Sequence, residues 1–370
     1  AMIITELQQL YATHPNVEGM CKLLKDDSVR HLYCSGLCAS AASLFSSVLV
    51  QRAECPFVFI LGDLEEAGYF YHDLTQILGT GQVLFFPSSF RRAIKYGQKD
   101  AANEILRTEV LSRLQKGEEG LCVVTYPDAL AEKVVSRKEL GDKTLKLHVG
   151  EKVDMDFVTE VLRSYGFEYV DYVYEPGQYA VRGSIIDVFS FSSEFPFRID
   201  FFGDEVESIR TFEVESQLSR EKKEEIVIVP DLSRSLEQGG NGGMVSFLGF
   251  LRPDTLLAMR DFLWLRERIQ AVHDESLTAQ AIAACEAEEN GAISLEGKLI
   301  DGGEFTLRAL DFRRMEFGTK PTGTPDATVA FSTVAQPIFH KNFDLVAESF
   351  RDYLSRNYTL YICSDSLKQT

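Results

Sequence analysis

Two places in the chain have the residue types and spacing for nucleotide chemistry, and each lacks the group that the chemistry would need. After the apolar run His31-Leu-Tyr-Cys-Ser, Gly36 opens the spacing of a phosphate loop. Such a loop reads glycine, four residues, then Gly-Lys-Ser/Thr: the second glycine lets the backbone close on phosphate, the lysine neutralises it and the hydroxyl holds Mg²⁺. Here Leu37 to Ser40 lead into Ala41, Ala42 and Ser43. A methyl stands where the loop must fold tightly and Ala42 replaces the cation, so no useful nucleotide affinity is expected. An ordinary strand-to-helix turn that never held phosphate reads the same way. Farther on, the apolar run Thr255-Leu-Leu-Ala-Met-Arg ends in Asp261, where an ATPase strand would carry the Mg²⁺-organising aspartate. The next residue is Phe262 rather than the glutamate that activates water. A strand-end aspartate or a helix cap explains Asp261 equally well.

A third place offers recognition rather than catalysis. In Phe197-Arg-Ile-Asp-Phe-Phe202 a strand period of two puts Phe197, Ile199 and Phe201 on one face and Arg198, Asp200 and Phe202 on the other. The first set is the better core. An aromatic ring and a guanidinium are left on the opposite face, and these residue types dominate the energetics of protein interfaces. A partly exposed strand face with one solvated arginine fits the same pattern.

No other constellation carries chemistry. The six histidines, His14, His31, His72, His148, His273 and His340, show no paired spacing. The seven cysteines, Cys21, Cys34, Cys38, Cys55, Cys122, Cys285 and Cys363, sit mostly in apolar runs, which suits buried thiols better than a disulfide framework. Cys34 and Cys38 lack the second ligand pair of a zinc site, and no metal is expected. The acidic start Gly62-Asp-Leu-Glu-Glu-Ala67 reads as helix capping rather than a catalytic pair. The loop Phe86 to Lys99 gathers Arg91, Arg92, Lys95, Tyr96 and Lys99. It is the one loop that suggests a nucleic-acid contact, against a solvated or intramolecular loop as the alternative. A formal net charge of −18 and a pI near 4.9 argue against a surface that grips nucleic acid non-specifically. At 45% hydrophobic and 25% charged over 370 residues, the composition is that of two or three globular domains. No apolar run reaches the roughly 20 residues that would cross a bilayer, and the first residues lack a signal-peptide pattern, so a cytoplasmic protein with no membrane partner is expected.

The elements that position these residues follow from periodicity. Apolar strands near Val29, Pro56–Leu61, Val83–Phe86 and Leu121–Thr125 alternate with helices at Ala39–Val50 and Ala101–Leu114. That is the pattern of an α/β parallel sheet with helices on both faces. From about Leu145 the pattern changes to a helix, Asp154–Tyr165, and then an antiparallel meander with turns at Pro176-Gly177 and Gly203-Asp204. This α+β unit closes near Val229, after the charged segment Arg220–Glu225. Helix-rich chain resumes through the glycine-rich loop at Gly239–Gly243.

The run Glu175-Pro-Gly-Gln-Tyr-Ala-Val-Arg-Gly, continued by Phe201-Phe-Gly-Asp-Glu-Val-Glu-Ser-Ile-Arg and on to Ser216-Gln217, resembles the signature of the domain shared by the excision-repair protein UvrB and the bacterial transcription-repair coupling factors. A weaker resemblance covers about residues 3–335. UvrB carries an intact phosphate loop and a long aromatic DNA-clamping hairpin. Here the loop is degenerate and Phe86–Ala101 is short, so the match is to the N-terminal UvrB-like module of the coupling factors. The resemblance implies a discontinuous RecA-like unit from residues 1–144 and 230–335, an inserted UvrA-binding domain over 145–229, and the opening of a further domain at 336–370, with a helix at Asp344–Leu354 and a strand at Tyr358–Cys363. It implies that Arg182, Arg198 and Phe202 contact UvrA, which would bring excision repair to a stalled RNA polymerase. No cofactor is expected, ATP being the ligand of the family's motor domains, and polymerase and DNA would be met through those other parts. An ATP-dependent damage binder like UvrB, or a module that only holds its parent shut, are the alternative functions.

Overall fold

The computed structural model describes residues 4–89, 101–232, 243–286 and 297–362. The chain forms two units, Ala1–Ser332 and Thr333–Thr370.

The larger unit is built on a seven-stranded sheet in the spatial order Ala327–Ala330, His31–Ser35, Arg313–Phe317, Leu256–Met259, Phe57–Ile60, Cys122–Thr125, Val83–Phe85. Every neighbouring pair is parallel. The strands Phe57–Ile60, Cys122–Thr125 and Leu256–Met259 are buried at every residue. That is why they read as continuous apolar runs and not as alternating ones. Helices Ser40–Arg52, Leu64–Leu78, Ala101–Lys116 and Phe262–Glu286 complete the α/β layers.

The helix starts explain two acidic features. Asp63 Oδ1 accepts from the Glu66 backbone N–H at 2.9 Å, and Glu66 Oε2 accepts from the Gly62 N–H at 2.9 Å, a reciprocal cap on Leu64–Leu78. Asp261 Oδ1 likewise accepts from the Trp264 N–H at 3.2 Å, one turn into the helix that follows the Leu256–Met259 strand. On the sheet edge, the Asp326 carboxylate accepts from the backbone N–H groups of Arg30 and His31, both at 2.8 Å. These two bonds hold its pKa below the ordinary carboxylate value.

In sequence between the Cys122–Thr125 and Leu256–Met259 strands falls a second sheet, ordered Ser219–Lys223, Glu205–Phe212, Phe197–Phe202, Ile185–Val188, Gln178–Arg182, Glu168–Tyr169. Its pairs are antiparallel except the last. The strands Leu145–His148 and Glu225–Ile228 pair antiparallel, so the chain enters and leaves this region side by side. The helix Met155–Ser164 buries Val158 and Leu162 against a cluster that includes Tyr179, Ile186, Val188, Phe197, Ile199, Phe201 and Ile209. A smaller cluster, Val173, Ala180, Phe189 and Phe212, forms separately from it. The charged segment at Arg220 belongs to the edge strand Ser219–Lys223, where charge discourages pairing with another chain.

The smaller unit contains the helix Phe343–Ser355, capped by Asn342 Oδ1 accepting from the Asp344 and Leu345 N–H groups at 3.1 and 3.2 Å. The strand expected over Tyr358–Cys363 is not formed at residues 358–362, and Cys363 lies outside the described residues. A β-prone run needs a ladder partner for its backbone groups, and the described residues of this unit supply none. Arg91, Arg92, Lys95, Tyr96, Lys99 and the loop at 239–242 also lie outside the described residues. Among the described residues, no helix is long and apolar enough to cross a membrane.

Candidate functional site

The exposed Arg and Phe positions are set by strand register. In Phe197–Phe202 the side chains alternate between core and surface, with Phe197, Ile199 and Phe201 buried. Arg198, Asp200 and Phe202 take the other face. Arg198 pairs with Asp187 on one neighbouring strand and Arg210 on the other, and Asp187 pairs with Ala180. One row therefore runs Ala180, Asp187, Arg198, Arg210 across four strands. Arg182 lies one step along, in the row with Ile185 and Asp200. Strand spacings of about 4.8 Å and a rise of about 3.3 Å per residue place Arg182, Arg198 and Phe202 at the corners of a triangle roughly 12 Å on a side.

The three corners differ. Arg198 is drawn inward. Its Nε and Nη2 donate to Asp187 Oδ1 and Oδ2 at 2.8 and 2.9 Å, its Nη1 donates to the Gln217 carbonyl at 3.0 Å, and its guanidinium lies 4.4 Å over the Phe212 ring. Only 14% of the side chain is exposed. The carboxylate bond raises its pKa further above the usual arginine value. Arg182 shares the same carboxylate, its Nη2 donating to Asp187 Oδ2, and its guanidinium lies 5.2 Å over the Tyr172 ring. It remains 38% exposed. Phe202 is 78% exposed, at the end of its strand beside the tight turn that Gly203 makes at φ +66°. Nothing in the core claims its ring.

Sequence reading missed the group at the centre. Asp187, in the apolar run Ile-Ile-Asp-Val, is 1% exposed and takes both arginines. It also missed the strap over Arg198: Gln217, at φ +57°, donates from Nε2 to the carbonyls of Val214 and Val173 while its own carbonyl receives Arg198. A buried acid between β-branched residues was the available signal, since such a group is kept only with a partner.

The degenerate phosphate loop has a different geometry. Gly36, at φ +77°, lies so close to the chain that a Cβ there would be 1.8 Å from the Phe331 carbonyl oxygen. The Phe331 N–H donates to the Ser35 carbonyl at 2.9 Å, and its ring meets Phe45 edge-on at 4.7 Å. Ala42 is buried, and Ser43 Oγ donates to Asp73 Oδ2 at 2.7 Å. Gly36 and Ser43 are thus engaged with the chain itself. The structure brings Gly36, Ala41, Ala42, Ser43 and Asp261 to the carboxyl-end side of the parallel strands, with Asp261 capping a helix. Among the described residues, no group of His, Cys, Asp and Glu side chains is arranged to hold a metal ion.

Residues 145–233 match the UvrB interaction domain family. The chain is 28% identical over 237 residues to the transcription-repair-coupling factor of Bacillus subtilis, an overlap of 62% of this chain and 20% of that protein. It is 29% identical over 196 residues to the Escherichia coli protein of the same name, covering 52% and 17% of the two chains. A further relative, from Haemophilus influenzae, is 31% identical over 155 residues, 41% of this chain and 13% of that protein. The chain matches about a fifth or less of the length of these relatives. The resemblance read from the sequence holds: the chain is similar to the N-terminal, UvrB-like module of the coupling factors.

Proposed function

We propose that the chain is a non-catalytic interaction module that binds UvrA through the sheet face bearing Phe202, Arg182 and Arg198, and so recruits nucleotide excision repair to stalled RNA polymerase. The observation that carries this reading is the exposed Phe202 ring on the same sheet face as a half-exposed arginine, on the segment that matches the UvrB interaction domain. Phe202 enters a pocket on the partner, Arg182 meets an acidic group, and Arg198 holds the face in shape while offering its two remaining N–H donors. Polymerase and DNA are met by other parts of a longer protein, working in the cytoplasm. We extend the reading to cofactors: the chain uses none, a view supported by the Phe331 backbone packed against Gly36 and by Ala42 in place of lysine.

Titration of purified UvrA with the chain and its Phe202→Ala and Arg182→Ala variants tests this. Each truncation is expected to weaken binding by about 2 kcal/mol, the scale of an interface anchor. Unchanged affinity in both variants overturns the assignment of the face.

A further inference from the structure

The charges along one row of this face do not cancel. Arg198, Arg210 and Lys222 stand in register with Asp187, three cations to one anion. The surplus stands on a chain whose net charge is −18. Within it the charges are unequally held. Asp187 gives both oxygens to Arg198 and one of them also to Arg182. Asp200 takes Ser184 Oγ at 3.1 Å and stands 3.9 Å from Arg210 Nη2. Arg198 is mostly covered and tied to the Gln217 carbonyl, so the cation that reaches furthest into solvent with a fixed direction is Arg182, clamped between Asp187 and the Tyr172 ring.

We infer that Asp187 is a positioning residue for partner binding: through one shared carboxylate it locks Arg198 as a pillar and aims Arg182 outward, selecting a carboxylate-bearing partner surface. The inference rests on the reading of this face as the UvrA contact. A guanidinium already ordered before docking loses less side-chain freedom on binding, so the pre-aimed arginine favours a long-lived complex. Removing the acid has two opposed consequences. The face becomes more positive, which speeds or preserves encounter with an acidic partner, while Arg182 loses its direction, which speeds dissociation.

Two measurements on the 370-residue chain test this. In side-chain ¹⁵N–¹H spectra of the free protein, the Arg182 guanidinium is expected to show slowed rotation, lost in Asp187→Asn while the backbone amide spectrum keeps its dispersion. A freely rotating Arg182 in the unsubstituted chain overturns the inference, and so does an Arg182 unaffected by Asp187→Asn; should that variant not fold, the unsubstituted spectrum decides alone. In kinetics with UvrA, Asp187→Asn is expected to raise the dissociation rate about tenfold with no slowing of association and with a steeper salt dependence. The same substitution in an Arg182→Ala background is expected to change affinity several-fold less than it does in the unsubstituted chain. A merely structural role would weaken binding equally in both backgrounds, and that result overturns the inference. If the unsubstituted chain does not bind UvrA at all, the proposed function fails, and the guanidinium spectra still decide whether Asp187 aims Arg182.

Discussion

Arg198 and Phe202 occupy one face of one strand, yet their removal acts on different equilibria. Phe202 gives 78% of its surface to solvent, so Phe202→Ala leaves stability within about 0.5 kcal/mol while it removes an interface anchor. Arg198→Ala strips the buried Asp187 of its two-pronged partner and leaves it only the half-exposed Arg182. Breaking a buried pair on one side costs several kcal/mol, and the remaining arginine offsets part of that, so a loss of about 2–3 kcal/mol is expected from urea denaturation of the chain. A loss of UvrA affinity in Arg198→Ala is therefore interpretable only beside that denaturation curve. Alternation along Phe197–Phe202 was enough to place both residues on the surface face, because a period of two is a local property. The ownership of Arg198 by Asp187 was not legible, because it depends on which residues the register sets opposite each other across strands.

At the scale of elements, the edge strand Ala327–Ala330 is held at both ends by contacts distant in sequence. At its exit the Phe331 carbonyl presses on Gly36. Gly36→Ala would place a Cβ inside that oxygen and would also force a β-carbon onto a residue at φ +77°. A destabilisation of about 3 kcal/mol or more is expected, read as a lowered midpoint in thermal or urea unfolding. At its entry, Asp326 accepts two backbone N–H groups from the His31 strand, and its pKa is depressed. A carboxylate with a folded pKa below its unfolded value adds stability above the unfolded value, near pH 4, and loses it as pH falls through the folded one. The stability profile of the chain is expected to decline below about pH 4, and Asp326→Asn to flatten that part of the decline. The glycine at 36 was legible as the start of a tight turn. What fills the space above it was not, since Phe331 is joined to it only through the finished sheet.

At the scale of the whole molecule, the α/β layering was readable because fully buried parallel strands are continuous apolar runs punctuated by helices, and the inserted meander because its alternation and turns differ from them. The strand expected over Tyr358–Cys363 does not form at residues 358–362 for the same reason that the others succeed: a strand exists only with neighbours. The architecture also bears on nucleotide. A sheet of this kind binds ligands beyond the carboxyl ends of its strands, where Gly36 and Asp261 both lie. In this chain the Phe331 carbonyl packs against Gly36 at one and Asp261 caps a helix at the other. A nucleotide bound with a Kd of about 10 μM would, at 1 mM, stabilise the folded chain by about 2.7 kcal/mol. For a unit spanning Ala1–Ser332 that is a rise in Tm of roughly 4 °C. The expected result is a shift under about 1 °C with 1 mM MgATP, since no cation replaces the lysine and the Phe331 carbonyl packs against Gly36. A saturable shift of several degrees would mean that Phe331 leaves Gly36 when nucleotide arrives, and the chain would then have to be read as an ATP-binding relative of UvrB instead of a docking module.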